Sequence, residues 1–107
     1  MTETAVTVYA VFADSAEAER IGRAMIEAGR AACVNILAPC RSIYRWQGEI
    51  ESAEEVPALF KTTTANADAL IAAIAAAHSY DVPAIVVWPI AAGHAAYLDW
   101  IAAGADR

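Results

Sequence analysis

Positive charge is scarce in this chain: 7 Lys and Arg stand against 13 Asp and Glu, for a formal net charge of −6. Nucleic acids and anionic membranes are held by clustered cations that neutralise phosphates, so this balance disfavours both as partners. Cysteine is scarce as well. Cys33 and Cys40 lie seven residues apart and fit no CxxC metal or redox pattern. On one extended strand they would stand about 23 Å apart, beyond disulfide reach, and a reducing cytoplasm fits best. No stretch reaches the roughly 18 uninterrupted apolar residues that a membrane-crossing helix needs. Met1 to Thr4 lack the basic, then apolar, then small-residue order of a signal peptide. There is no Gly-rich phosphate loop, so no organic cofactor is expected. No GxSxG elbow or kinase motif is present either. Cys33 with His78 is the one conceivable nucleophile–base pair, and it lacks an orienting partner in sequence. No enzyme is expected.

What the chain has in excess is apolar surface. Hydrophobic residues make up 59% of the 107, against roughly 45–50% in an ordinary domain. Much of this is alanine, but 3 Trp, 4 Tyr and 2 Phe are a large aromatic load for so small a body. Part of it is expected to meet other subunits. The length allows one domain, taken as residues 1–107.

The periodicities alternate in type. Ala5 to Phe12 alternates with both faces apolar, the pattern of a central strand. Asp14 and Glu17 then open a helix in capping-box fashion, with Ala18, Ile21, Met25 and Ala28 as its buried stripe and Gly29 as its terminator. Cys33 to Trp46 is extended, bent or bulged at Pro39. Gln47-Gly48 is a two-residue hairpin loop, pairing Trp46 with Glu49, Arg45 with Ile50 and Tyr44 with Glu51. Glu49 to Thr63 returns, with Pro57 placing part of it at an edge or a bulge. Thr64 to His78 is a helix with Ala67, Leu70, Ile71 and Ile74 inward, and Ala84 to Trp88 is a strand. His94 to Ala103 is a last helix, with Tyr97, Leu98, Trp100 and Ile101 apolar and Gly104 ending it.

The order is βαββαβ plus a C-terminal helix, the split βαβ or ferredoxin-like arrangement of an α+β domain. Its middle hairpin has strands two to three times the usual length of about 5–6 residues. Such a ribbon overhangs its own sheet and leaves unpaired edges, which proteins avoid exposing. A homo-oligomer in which neighbouring copies pair with the hairpin is therefore expected.

Three segments carry a family resemblance: Ala31-Ala32-Cys33-Val34-Asn35-Ile36, Ser42 to Ile50 followed by Glu54-Glu55, and His78-Ser79-Tyr80-Asp81-Val82-Pro83. Lys61-Thr62 and Tyr97-Leu98-Asp99-Trp100-Ile101 add to it. From about Val6 to Ile101 the chain resembles the divalent-cation tolerance protein CutA family. The resemblance implies a tight homotrimer of ferredoxin-like subunits whose hairpins extend each other's sheets, as in the PII signalling proteins. It also implies copper or divalent-cation tolerance without established catalysis, and inter-subunit pockets gathering Cys33, Lys61, His78, Tyr80 and Asp81. This chain departs from the family pattern at Ser79, Asp81 and Ala84, where Pro and two Glu are usual, and at Glu49, where Lys is common.

The candidate metal ligands are thus Cys33, His78 and Asp81, for copper or another divalent cation. Cys33 reads either as a soft thiolate ligand or as a small buried hydrophobe. His78 reads either as an imidazole ligand beside the Asp81 carboxylate or as a side chain serving the last carbonyls of its helix. Lys61 and Tyr80 are the candidates for holding a small anion or metabolite, as in a PII-like regulatory module. Trp46, Trp88 and Trp100 read as packing and interface anchors, and His94 as surface. The acids Glu49, Glu51, Glu54 and Glu55 read as a solvated strand face, with cation attraction as the functional alternative.

Overall fold

Among the described residues, eight elements follow one another: β1 (Ala5–Phe12), α1 (Ser15–Glu27), β2 (Cys33–Ile36), β3 (Cys40–Trp46), β4 (Glu49–Thr63), α2 (Thr64–Ala77), β5 (Ile85–Pro89) and α3 (Ala95–Gly104). The structure is a computed structural model describing residues 4–105, so the signal-peptide reading at residues 1–3 lies outside the described residues.

The sheet runs β2-β4-β1-β5, with β3 also paired to β4. All four pairings are antiparallel. This is the expected ferredoxin-like α+β arrangement with a C-terminal helix. β4 spans 15 residues because it serves two neighbours in turn. Its second half lies between β2 and β1. Its first half pairs only with β3, so the β3–β4 ribbon projects beyond the sheet. The longest dimension of the molecule, 47 Å, reflects that overhang. The turn has both central residues at positive φ, 51° at Gln47 and 83° at Gly48. That is the twist-matched turn which sets the expected register of Trp46 on Glu49 and Tyr44 on Glu51.

Part of β4 does lie at an edge, as expected, since Glu49 to Glu55 pair only with β3, and Pro57 follows just beyond, opposite Val11. On an antiparallel strand a residue's N–H and C=O point to the same side. The Pro57 carbonyl accepts from the Leu37 N–H at 3.0 Å, so its missing donor faces the same break between β2 and β3. The chain leaves the ladder there, and no β1 bond is lost.

One sheet face carries α1 and α2. Val8, Phe12, Phe60, Ile21, Leu70 and Ile74 fill the space between them and are almost wholly buried. Each such side chain contributes roughly 1.5–3 kcal/mol. The α1 stripe is Ala18, Ile21 and Met25, but Ala28 is exposed because it lies past the helix end, as its C-cap. Gly22, within α1, marks a close approach: an added Cβ would lie 3.2 Å from Val34 Cγ1. Gly104 does not end α3 in a left-handed turn; it is the last helical residue, and an added Cβ would lie 2.9 Å from Ala32 Cβ. Of the apolar residues Tyr97, Leu98, Trp100 and Ile101 on α3, Ile101 alone is buried, while Trp100 stays 50% exposed.

Candidate functional site

Strand parity sorts the chemistry. On β4 the even residues Val56, Ala58, Phe60 and Thr62 face the helices and are buried. Its odd residues therefore face the other way, along with their partners. That open face carries Cys33, Lys61 and Thr7 in one row, Asn35, Leu59 and Tyr9 in the next, and the 40, 42, 44, 46 set of β3 beyond. Glu49, Glu51 and Glu55 belong to it, whereas Glu54 lies on the opposite side of the ribbon. The acids read as one solvated face are thus split between two.

At one end of the open face, α3 lies over the sheet. The Tyr97 hydroxyl is 3.5 Å from Cys33 Sγ. That contact first, then burial and charge on Cys33, push the Tyr97 phenol up to about 12. The Lys61 ammonium beside them donates to Asn35 Oδ1 at 2.9 Å.

At the other end, residues 78–84 cross from the helix layer toward the ribbon. His78 caps α2 with its ring stacked on Phe12, centroids 5.1 Å apart. The Tyr80 N–H donates to His78 Nδ1 at 3.0 Å, so the proton resides on Nε2, which donates to the Val11 carbonyl at 2.7 Å. Both ring nitrogens are engaged. The buried Glu17 carboxylate secures the same segment, accepting from the N–H groups of Ala13 at 3.0 Å and Ser79 at 2.9 Å. Burial pushes this carboxyl up, but those donors and the nearby His78 outweigh it and hold it below the usual carboxylate range.

The Tyr80 hydroxyl reaches the ribbon and donates to Glu55 Oε2 at 2.9 Å. Burial first, then Glu55 as acceptor and as charge, push this phenol up to about 12, so it remains a donor at neutral pH. Between segment and ribbon lies an open groove of about 640 Å³, lined by Tyr9, Val11, Ser42, Tyr44, Arg45, Trp46, Glu51, Glu55, Tyr80, Asp81, Val82 and Ala84. Three carboxylates face one guanidinium there, which suits a cation better than an anion.

His78, Tyr80 and Asp81 thus stand together, and Cys33 stands with Lys61, but one chain keeps the two sets apart. Lys61 and Glu55 are six residues apart on β4, about 20 Å. Among the described residues no group of three His, Cys, Asp or Glu is placed to hold a metal ion. Sequence reasoning missed Glu17 as a clamp on Ser79 and Glu55 as the acceptor for Tyr80. The capping-box spacing signalled the first half of the Glu17 role; nothing local signals contacts across 62 and 25 positions.

The CutA1 divalent ion tolerance protein family model matches residues 6–104. The chain belongs to this family. A Thermus thermophilus divalent-cation tolerance protein CutA is 48% identical over 84 residues, covering 78% of this chain and 82% of that one. The crystal structure of CutA from Xylella fastidiosa superposes with a TM-score of 0.93 at 33% identity, covering 96% of this chain and 99% of that one. The Archaeoglobus fulgidus CutA structure, described as a periplasmic divalent cation tolerance protein, gives 0.92 at 35% identity, covering 95% and 99%. Among the described residues of this CutA1 chain no helix is long and apolar enough to cross a membrane.

Proposed function

We propose that this CutA1 chain works as a non-catalytic, cytoplasmic homotrimer that binds divalent cations, copper among them, weakly at sites between subunits. Cys33 of one copy, with His78 and Asp81 of another, would supply the donors. The carrying observation is the separation of the two ligand sets within one chain: a thiol at one end of the open face, and, near the other end, an imidazole at the edge of the helix layer with a carboxylate on the segment that crosses from it. A second copy laid along that face can bring them together. The ribbon supports such pairing, since the outer edge of β3 has no partner strand among the described residues. Ile43 and Ile50 beside it are 70% and 69% exposed, and covering such edges and apolar side chains favours association. Cys33 and Cys40 are free thiols, which suits a reducing compartment. The name of the Thermus relative supports divalent-cation tolerance as the role. A PII-like module holding a small anion between Lys61 and Tyr80 would also need two copies, and the acids beside Tyr80 favour a cation over it.

Native mass spectrometry followed by copper titration tests the proposal. A trimer retaining copper in whole-number ratio is expected, with weaker binding in both Cys33→Ser and His78→Ala. A folded monomer at micromolar concentration would refute the trimer. Unchanged copper affinity in both variants would remove the site.

A further inference from the structure

Among the described residues Glu17 is the only buried charged side chain, and the cation site proposed above gives it no part. We propose that Glu17 is a positioning residue for that site and holds it closed: by gripping Ser79, its carboxylate keeps the Tyr80 N–H on His78 Nδ1 and so keeps the imidazole from a cation. The proposal rests on the metal reading and adds its regulation. Every contact it uses lies within one chain, so none depends on a surface that a second copy would cover.

The segment has little else to hold it. Among the described residues no backbone–backbone hydrogen bond involves positions 79–83. The chain is tied on either side of them. The His78 N–H donates to the Ala75 carbonyl at 3.4 Å, and the Ala84 carbonyl accepts from the Val11 N–H at 3.1 Å. Between those ties three side chains do the holding. Glu17 accepts from the Ser79 N–H at 2.9 Å, His78 Nδ1 from the Tyr80 N–H at 3.0 Å, and Glu55 from the Tyr80 hydroxyl at 2.9 Å. Glu17 is itself fixed in the first turn of α1. Its own N–H donates to Asp14 Oδ1 at 2.8 Å, and its other oxygen accepts from the Ala13 N–H at 3.0 Å. The grip therefore starts from a rigid point and acts one peptide away from the Tyr80 N–H.

The ring geometry gives the direction of the effect. A metal-ligating histidine usually donates its other ring N–H to a carbonyl or carboxylate, and the Nε2–H bond to the Val11 carbonyl at 2.7 Å has that form. It leaves Nδ1 as the ligating nitrogen, and the Tyr80 N–H stands where the cation would bind. Binding thus requires Ser79 and Tyr80 to swing aside, which the Glu17 bond opposes. A ligand's affinity for a state populated only in part falls by that fraction. Weakening the grip raises both the fraction and the affinity; were Glu17 a support for the open site, weakening it would do the reverse.

Copper titration of the intact protein carrying Glu17→Asp or Ser79→Pro tests this. The first keeps the charge and draws the carboxylate back by one methylene. The second removes the Ser79 N–H, and His78, at φ −73° and ψ 147°, already has the extended backbone that a following proline requires. Copper should bind about two- to tenfold tighter in each, roughly the worth of one hydrogen bond. In the metal-free protein the Tyr80 amide should exchange its hydrogen faster by about the same factor, read by NMR. Thermal melting confirms that each variant folds. Copper affinity unchanged or weaker in either folded variant would overturn the latch, and so would Tyr80 exchange at the parent rate. Copper binding unaffected by His78→Ala would instead remove the metal reading. The exchange rate, which needs no metal, would still uphold or overturn the grip on its own.

Discussion

Glu17→Gln removes one charge and almost no volume from a side chain that is only 6% exposed. Its two carboxylate oxygens accept from Ala13 and Ser79, tying the start of α1 to the segment that carries His78 and Tyr80. Glutamine keeps one acceptor oxygen and turns an amide NH2 toward the other backbone N–H, donor against donor. A buried donor left unsatisfied costs about 1–3 kcal/mol, and bonds to a charged acceptor lie toward the upper end. The expected loss is about 2 kcal/mol at neutral pH, read from urea unfolding followed by circular dichroism. The pH dependence gives the sharper test. Glu17 has its folded-state pKa held below the ordinary value, so its stabilisation is full above the unfolded value of about 4.3 and is lost as pH falls through the folded one. The gap between parent and variant should be widest near pH 7 and should close in the acid range. A gap below about 0.5 kcal/mol at pH 7, small against that cost, would refute the clamp. So would a gap that stays constant down to pH 3.

Two glycines should respond in opposite ways to alanine. At Gly104 the new methyl meets Ala32 at 2.9 Å with backbone close behind, so overpacking should cost about 1–3 kcal/mol. At Gly22 the nearest atom is the Val34 Cγ1 side-chain carbon at 3.2 Å, which can shift by a few tenths of an ångström. The helix-interior gain of about 1 kcal/mol should then leave that variant at least as stable as the parent; the reverse order in thermal melting would contradict the packing. In an ultraviolet titration, Tyr80→Phe should remove one phenol ionising near 12 and leave that of Tyr97, and loss of a phenol ionising near the ordinary 10.0 instead would refute the Tyr80–Glu55 bond. Because the Tyr80 value is raised above the ordinary 10.0, its contribution to stability is full below about 10 and declines as pH rises toward about 12.

Elements governed by local chemistry were readable from the residues. The apolar alternation of Ala5 to Phe12 identified a central strand, and β1 does lie between β4 and β5. Asp14 accepts from the Glu17 N–H at 2.8 Å, as the capping pattern requires. The ribbon register follows from Gln47-Gly48 alone. Where reading failed, the deciding partner was distant in sequence. Gly104 looked like a helix terminator because its local signal is the same whether φ is positive or a neighbour is close. The site was legible as a set of residue types and illegible as a geometry. Nothing in the spacing of Cys33, His78 and Asp81 says that β4 holds the first about 20 Å from the Glu55 end.

The two sheet faces differ in how far one chain satisfies them, and that difference bears on the weak cation affinity proposed above. The helix face is closed by its own side chains. At the edge of that layer His78 already holds Val11 through one nitrogen and Tyr80 through the other. In the proposed inter-subunit site, coordination through Nδ1 would orphan the Tyr80 N–H, and coordination through Nε2 would move the ring proton to Nδ1 and so orphan both the Val11 carbonyl and the Tyr80 N–H. Either loss offsets part of the metal–ligand gain by the cost of an unsatisfied backbone group, about 1–3 kcal/mol or roughly a five- to 150-fold loss of affinity. Release of the Tyr80 N–H would also loosen the wall of the groove, because the same residue carries the hydroxyl bound to Glu55. A cation taken through either nitrogen would therefore act on the groove through Tyr80, and one taken through Nε2 would release the Val11 carbonyl of β1 as well.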